Sequence, residues 1–183
     1  LNANSMLKVV EKLRSFGHTN KIILCERGNM FGYNDLIVDT RNLVWMKGKE
    51  NLVSMDITHS LQQPAQKMKD GTVKAGGLRE FIPLMGKIAL VSGVDAIFME
   101  VHDRPEEAKC DGPTQWPLHK LENLLKEFNK LKLFLNNMML HKVIHVSYIY
   151  NTSVSSCASY RVLCLKIKKK NLQNFRFFFS RYK

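Results

Sequence analysis

Asp56-Ile57-Thr58-His59-Ser60-Leu61-Gln62-Gln63 decides how this chain is read. It follows a short apolar run, residues 52–55, and precedes a polar loop that contains glycine. That is the pattern of a buried strand whose C-terminal end delivers Asp, Thr, His and Gln into a loop. The design occurs twice more. Lys21-Ile22-Ile23-Leu24-Cys25 delivers Glu26, Arg27 and Gly28, and Ala96-Ile97-Phe98-Met99 delivers Glu100, His102 and Asp103. Between the last two strands, residues 78–91 are apolar at Leu78, Phe81, Ile82, Leu84, Met85, Ile88 and Val91, a helical spacing. Strand, charged loop, helix, strand is the rhythm of a parallel α/β fold. In a (β/α)8 barrel the chemistry sits at the C-terminal ends of the strands. One such strand end is an ordinary satisfied terminus; three in succession point to a shared site.

The chain has 183 residues, whereas a complete (β/α)8 barrel usually takes about 250. Only three strand–helix units can be counted, so the expected architecture is a partial TIM barrel. Three strands of eight leave two open sheet edges and an apolar inner face. The chain opens on Leu1, with Met6 its first methionine, and the reading expects a fragment edge there.

All 16 Asp and Glu lie before residue 133, while nine of the 28 Lys and Arg lie after it, so the tail carries +9 of the net +12. The basic excess is therefore weak evidence that the rest binds nucleic acid. The four cysteines (Cys25, Cys110, Cys157, Cys164) have no zinc-finger spacing. Reduced thiols in the cytoplasm fit them better than a disulfide framework. No apolar run approaches about 18 residues, so no membrane span is expected.

Residues 1–17 read as a helix capped by Asn4 or Ser5 and closed by Gly17, with His18-Thr19-Asn20 as a turn. Gly28 and Gly32 allow sharp turns or close approach to a ligand. Arg27 suits bidentate recognition of phosphate or carboxylate; a structural pair with Glu26 is the alternative. Residues 39–47 read as a short helix with Leu43, Val44 and Trp45 partly buried. Residues 62–77 read as a long lid-like loop with Lys67, Lys69 and Lys74. Gly76-Gly77, ahead of the helix at Leu78, offers N–H groups to a phosphate. Pro117 suits the first position of a helix presenting Leu118, Leu121, Leu124, Leu125 and Phe128. His59, Glu100 and Asp111 have the N/O composition of either a divalent metal site or an acid/base group.

From residue 133 the character changes. The tail is rich in Lys, Asn, Phe, Tyr, Ile and Ser, with a basic run at 166–170 and an aromatic one at 175–179. Basic residues interleaved with aromatics suit single-stranded nucleic acid or an anionic membrane. The AT-rich codon signature points instead to translated non-coding sequence. Residues 1–132 and 133–183 are thus read as two regions, the second irregular.

Residues 1–132 resemble the 3-deoxy-D-manno-octulosonate 8-phosphate synthases, most of all the plant type. The matching text is Ile23-Leu24-Cys25-Glu26-Arg27-Gly28, the run 30–39 (MFGYNDLIVD), 56–65 (DITHSLQQPA), Gly76-Gly77-Leu78-Arg79-Glu80, Phe98-Met99-Glu100-Val101-His102 and 110–118 (CDGPTQWPL). The resemblance implies a (β/α)8 barrel that condenses phosphoenolpyruvate with D-arabinose 5-phosphate and water, releasing phosphate. It makes the three strands the last three of eight. It implies a cytoplasmic homotetramer that binds neither nucleic acid nor membrane. It assigns His59, Glu100 and Asp111 to catalysis and Arg27, Phe31, Gln63 and Arg79 to substrate binding. The metal-dependent branch uses the positions of His59, Glu100 and Asp111 as ligands, with a Cys on the first strand that has no counterpart here. Lys109-Cys110-Asp111-Gly112-Pro113 is similar to the metal-independent branch, so no required metal or other cofactor is expected. The Lys-Ala-Asn-Arg-Ser-Ser segment that holds the sugar phosphate in the family has no counterpart, and the reading expects a truncated member.

Overall fold

The computed structural model describes residues 1–17, 22–31, 35–48, 51–67, 71–139 and 161–166. In chain order the elements are α1 (Ala3–Ser15), β1 (Ile23–Glu26), the short pair β2 (Asn29–Met30) and β3 (Leu36–Ile37), and α2 (Thr40–Lys47). There follow β4 (Leu52–Asp56), the hairpin β5 (Gln62–Lys67) and β6 (Val73–Gly77), and α3 (Ile82–Val91). Then come β7 (Ala96–His102), β8 (Trp116–Pro117), α4 (Leu118–Met139) and β9 (Arg161–Lys166).

The three strands read from sequence form one parallel sheet. Ile23 lies opposite Leu52 and Ser54 opposite Ala96, in the order β1-β4-β7. β8 joins parallel to β7 at Val101. β9 runs antiparallel along residues 96–101 of β7. β4 and β9 both pair with residues 96–98, so they lie on opposite edges of β7. One of the two expected open edges is therefore covered, by a strand from the region expected to be irregular. The outer edge of β1 has no strand partner among the described residues.

Alternation along the strands separates two faces. Leu24, Val53, Met55, Ile57, Ile97, Met99 and Val101 are buried with Leu43 and Met46 of α2, Ile82 and Leu90 of α3, and Leu121, Leu124, Leu125 and Phe128 of α4. The opposite face is mixed: Ile23, Leu52, Ala96 and Phe98 share it with polar side chains. It carries Cys25, Ser54, Asp56 and Glu100; Ser54 Oγ lies 3.6 Å from Cys25 Sγ. Polar side chains on the inner face are what a site at the strand ends needs.

Helix ends follow local chemistry. Asn2, one turn earlier than Asn4 or Ser5, caps α1 by accepting from the Ser5 N–H at 2.9 Å. Gly17 closes it with φ +85°, as expected; residues 18–20 lie outside the described set. Asp39 caps α2, but Val44 and Trp45 are 61% and 52% exposed. Asn42, Leu43 and Met46 fill the inward positions instead. Lys47 bonds the Gly93 carbonyl and Asp95, while Asp95 accepts from the Val53 N–H at 3.0 Å. That network ties α2, β4 and the entry to β7.

Three local readings change. Pro117 belongs to β8, so α4 begins at Leu118, and it continues through residue 132 to Met139. Residues 79–81 form a 3-10 turn, and α3 buries Ile82, Gly86, Ala89 and Leu90 while Phe81, Leu84 and Val91 stay exposed. Residues 62–67 and 73–77 form a hairpin rather than an irregular loop; Lys69 lies outside the described residues. Gly76 and Gly77 pair with Gln63 and Gln62 in its ladder. A Cβ on Gly77 would come within 2.3 Å of Thr114 Cγ2. The glycine thus lets β6 pass under the 112–114 turn, which replaces the phosphate-binding reading. Among the described residues no helix is long and apolar enough to cross a membrane.

Candidate active site

At the C-terminal end of β4, Asp56 is 3% exposed. Its Oδ1 accepts from the Thr58 N–H (3.0 Å), the Thr58 hydroxyl (3.0 Å) and the His59 N–H (2.8 Å). An Asp bonding its own backbone two residues on builds a tight turn. Its Oδ2 lies 2.7 Å from His59 Nδ1. The turn thereby aims the imidazole along the sheet toward β7, where it stacks on Phe98 at 5.7 Å between centroids. His59 Nε2 lies 3.3 Å from Glu100 Oε1 and 4.0 Å from Asp111 Oδ2. The Glu100 N–H donates to Thr58 Oγ1 at 3.2 Å, locking the two strand ends together.

Burial alone would push the His59 pKa down. Hydrogen bonds and charge from Asp56 and Glu100 outweigh it and raise the value from 6.5 to about 10. At neutral pH the ring is an imidazolium among carboxylates, suited to hold a substrate or water oxygen rather than to take a proton.

Asp111 reaches the cluster from the 110–115 turn, with φ +53° in the left-handed region that Asp tolerates better than most residues. Ligand atoms of His59, Glu100 and Asp111 all lie within 4.8 Å of one another. One ring nitrogen and two carboxylate oxygens are a donor set that fits a divalent cation.

Arg27, at the end of β1, donates from Nη2 to Gln62 Oε1 at 2.8 Å. Gln62 Nε2 in turn donates to Asp111 Oδ1. A guanidinium is thus coupled to the carboxylate cluster through one amide. The alternative pairing of Arg27 with Glu26 is not formed. Glu26 is 3% exposed, accepts from the Gly28 N–H at 2.7 Å and bonds Asn42. Gly28 makes that turn with φ +87°; Gly32 lies outside the described residues.

The other expected site residues are dispersed. Arg79 bonds Glu106 at 3.0 Å and the Gly112 carbonyl, steadying the turn that carries Asp111. Gln63 donates to Asp35 at 3.1 Å. Phe31, 69% exposed, lines a separate cavity of about 560 Å³ with Asn29, Asp39, Arg41 and Trp45. His102 Nδ1 only accepts from the Arg104 N–H. Sequence reasoning missed Asp56, Thr58 and Gln62 as site residues. The Asp-x-Thr-His spacing at a strand end is the signal for the first two; Gln62 had none beyond its place in the same motif.

Residues 2–136 match the DAHP synthetase I family. The 2-dehydro-3-deoxyphosphooctonate aldolase 2 of Arabidopsis thaliana is 59% identical over 123 residues, 67% of this chain and 42% of the relative. The 2-dehydro-3-deoxyphosphooctonate aldolase of Pisum sativum is 58% identical over the same shares. The chain thus spans less than half the length of these relatives. The crystal structure of a phospho-2-dehydro-3-deoxyheptonate aldolase (DAHP synthase) from Thermotoga maritima superposes with a TM-score of 0.60 at 27% identity, covering 74% of this chain and 36% of that one. The parallel sheet with its helices on one face corresponds to part of that enzyme's barrel. With the family match covering most of its length, the chain belongs to the DAHP synthetase I family.

Proposed function

We propose that this chain is the C-terminal part of a 3-deoxy-D-manno-octulosonate 8-phosphate synthase, the activity for which its curated relatives are named. That enzyme joins C3 of phosphoenolpyruvate to the aldehyde carbon of D-arabinose 5-phosphate, while water adds at C2 and phosphate leaves. The observation that carries the reading is the convergence of His59, Glu100 and Asp111 at adjacent strand ends, with Arg27 tied in through Gln62. Arg27 would grip an anionic group of phosphoenolpyruvate, as a guanidinium fork does. His59, held charged by Asp56, would orient the reacting oxygens. Glu100 and Asp111 would accept the proton of the attacking water.

His59, Glu100 and Asp111 are the residues that would hold a divalent ion, which when bound would supply Lewis-acid polarisation and water activation. The proposal is a reaction that does not require one. The same reading takes the assembly as a cytoplasmic homotetramer without nucleic-acid or membrane partners, and residues 133–183 as a basic region outside the synthase.

One observation favours a second reading, a non-catalytic piece. β9 runs antiparallel along the β7 edge, where a closing barrel would need a parallel strand. Phosphate release separates the two. The full chain is incubated with phosphoenolpyruvate, with and without D-arabinose 5-phosphate. Release only when both are present supports the synthase, and none supports the non-catalytic reading.

A further inference from the structure

Gln115 is 1% exposed and directs its side-chain amide at two acceptors, Glu100 Oε2 at 3.4 Å and the Cys110 carbonyl at 3.2 Å. Both acceptors require the NH2 end, so the orientation of the amide is fixed. Its backbone N–H donates to the Asp111 carbonyl at 3.1 Å. One residue therefore grips the left-handed Asp111 turn from both sides and ties it to the neighbouring strand end. The consequence is visible at the other end of the same amide. Gln115 Oε1 is buried with no hydrogen-bond partner among the described residues. A buried, unpaired carbonyl oxygen costs about 1–3 kcal/mol. An apolar side chain of similar length would avoid that cost and fill the same volume, but would leave Glu100 Oε2 and the Cys110 carbonyl without this donor. A residue kept for packing would not be amidic here.

We infer that Gln115 is a positioning residue: it sets the separation of Glu100 and Asp111, which both face His59 Nε2, at the expense of a buried unsatisfied oxygen. Its catalytic consequence rests on the function proposed above; its structural consequence does not. Gln115 touches no reacting atom and acts only through the two carboxylates. It fixes one by a side-chain bond and the other through the turn. Arg27 and Gln62 lie on the opposite side of Asp111 and are not held by it.

The test uses the full chain with Gln115→Met and, as a second apolar variant, Gln115→Leu. Amide hydrogen exchange at Thr114 and at residue 115, whose N–H groups bond the Asp111 carbonyl, and thermal melting are read together. The expected result is exchange at those amides accelerated at least about tenfold, with a melt lowered by less than about 5 °C, because two acceptors lose a donor while the orphaned oxygen is removed. Unchanged exchange in both variants overturns the inference. So does a melt lowered by more than about 5 °C in both, which marks an ordinary packing role. In turnover, kcat should fall about tenfold or more with KM for phosphoenolpyruvate within about twofold. Absence of turnover in the wild type counts against the proposed function alone, because exchange and melting decide the positioning role independently.

Discussion

Asp56 holds His59 from three residues away: Oδ2 lies 2.7 Å from the ring Nδ1, while Oδ1 accepts the N–H groups of Thr58 and His59. One carboxylate therefore shapes the turn and charges the ring that the turn carries. Asn at position 56 keeps an acceptor for the backbone but loses the charge. Asp56→Asn should lower the His59 pKa from about 10 toward its ordinary 6.5, read by NMR titration of the ring. If the chain turns over, kcat should drop about a hundredfold. A His59 pKa unchanged in the variant would show that Glu100 alone sustains the charge.

The same pair makes stability depend on pH. The folded-state pKa of His59 lies above its unfolded value, so its contribution is complete below about pH 6.5 and lost as pH rises through about 10. Urea midpoints of wild type and His59→Gln, compared from pH 6 to pH 10, should converge as pH rises. The difference should shrink steadily across that range as the wild type loses the ring's contribution. A gap that stays constant across that range would show the ring to be neutral in the fold.

Glu26 has the opposite character. Desolvation by burial raises its pKa, and bonds from Gly28 and Asn42 offset this only in part. A carboxyl whose folded pKa exceeds its unfolded one contributes stability below the unfolded value and loses it as pH rises through the folded one. At neutral pH the charged form is therefore a burden. Glu26→Gln keeps an acceptor for the Gly28 N–H and should raise Tm at pH 7. The advantage should vanish as pH approaches 4.5. A lower Tm at pH 7 would mean the charge itself is needed there.

The sheet was legible because three short apolar runs each ended in charged residues, and periodicity alone placed β1, β4 and β7. His59, Glu100 and Asp111 were legible as a group because each followed such a strand or the turn after it. The hairpin at 62–77 was not, because Pro64, Gly71 and three lysines mask strand pattern, and its register depends on Gly77 passing beneath Thr114. The buried side of α3 was misjudged for a similar reason. Its buried side includes Gly86 and Ala89, small residues that periodicity did not pick out, and Gly86 meets a ring 42 residues away. Nor could any pattern in Val44 and Trp45 show that Asn42 would turn inward to meet Glu26. Long-range complementarity of that kind is a property of two segments, and neither carries it alone.

Arg27 and Gln62 divide one task. The guanidinium supplies charge, and the Gln62 amide holds it at 2.8 Å while bonding Asp111. Arg27→Ala should lower kcat/KM for phosphoenolpyruvate about thirtyfold or more, chiefly through KM, the value of a charge-assisted pair. Gln62→Leu leaves the charge but frees the arginine, and should cost about tenfold, with kcat falling because Asp111 also loses its partner. Equal KM effects in the two variants would show Gln62 to be a ligand contact in its own right.

Gly86 sits inside α3 with Phe128 of α4 across from it. A Cβ there would lie 2.0 Å from the Phe128 Cζ and 2.7 Å from both Cε atoms. In an exposed helix interior, Gly→Ala stabilises by about 0.5–1 kcal/mol. Here the ring is 2% exposed and cannot swing away, so Gly86→Ala should instead destabilise by about 1–3 kcal/mol in urea melts. Shortening the ring with Phe128→Leu opens a void worth several kcal/mol by itself. In that background Gly86→Ala should be neutral or stabilising, because the methyl group then fills space and the helix gains alanine's propensity. The coupling between the two changes should exceed about 1 kcal/mol. Additive effects would mean that α3 and α4 can slide apart at little cost. The two helices cover the outer face of β7, the strand that carries Glu100. A loosened contact would then be felt at the site as well as in the melt.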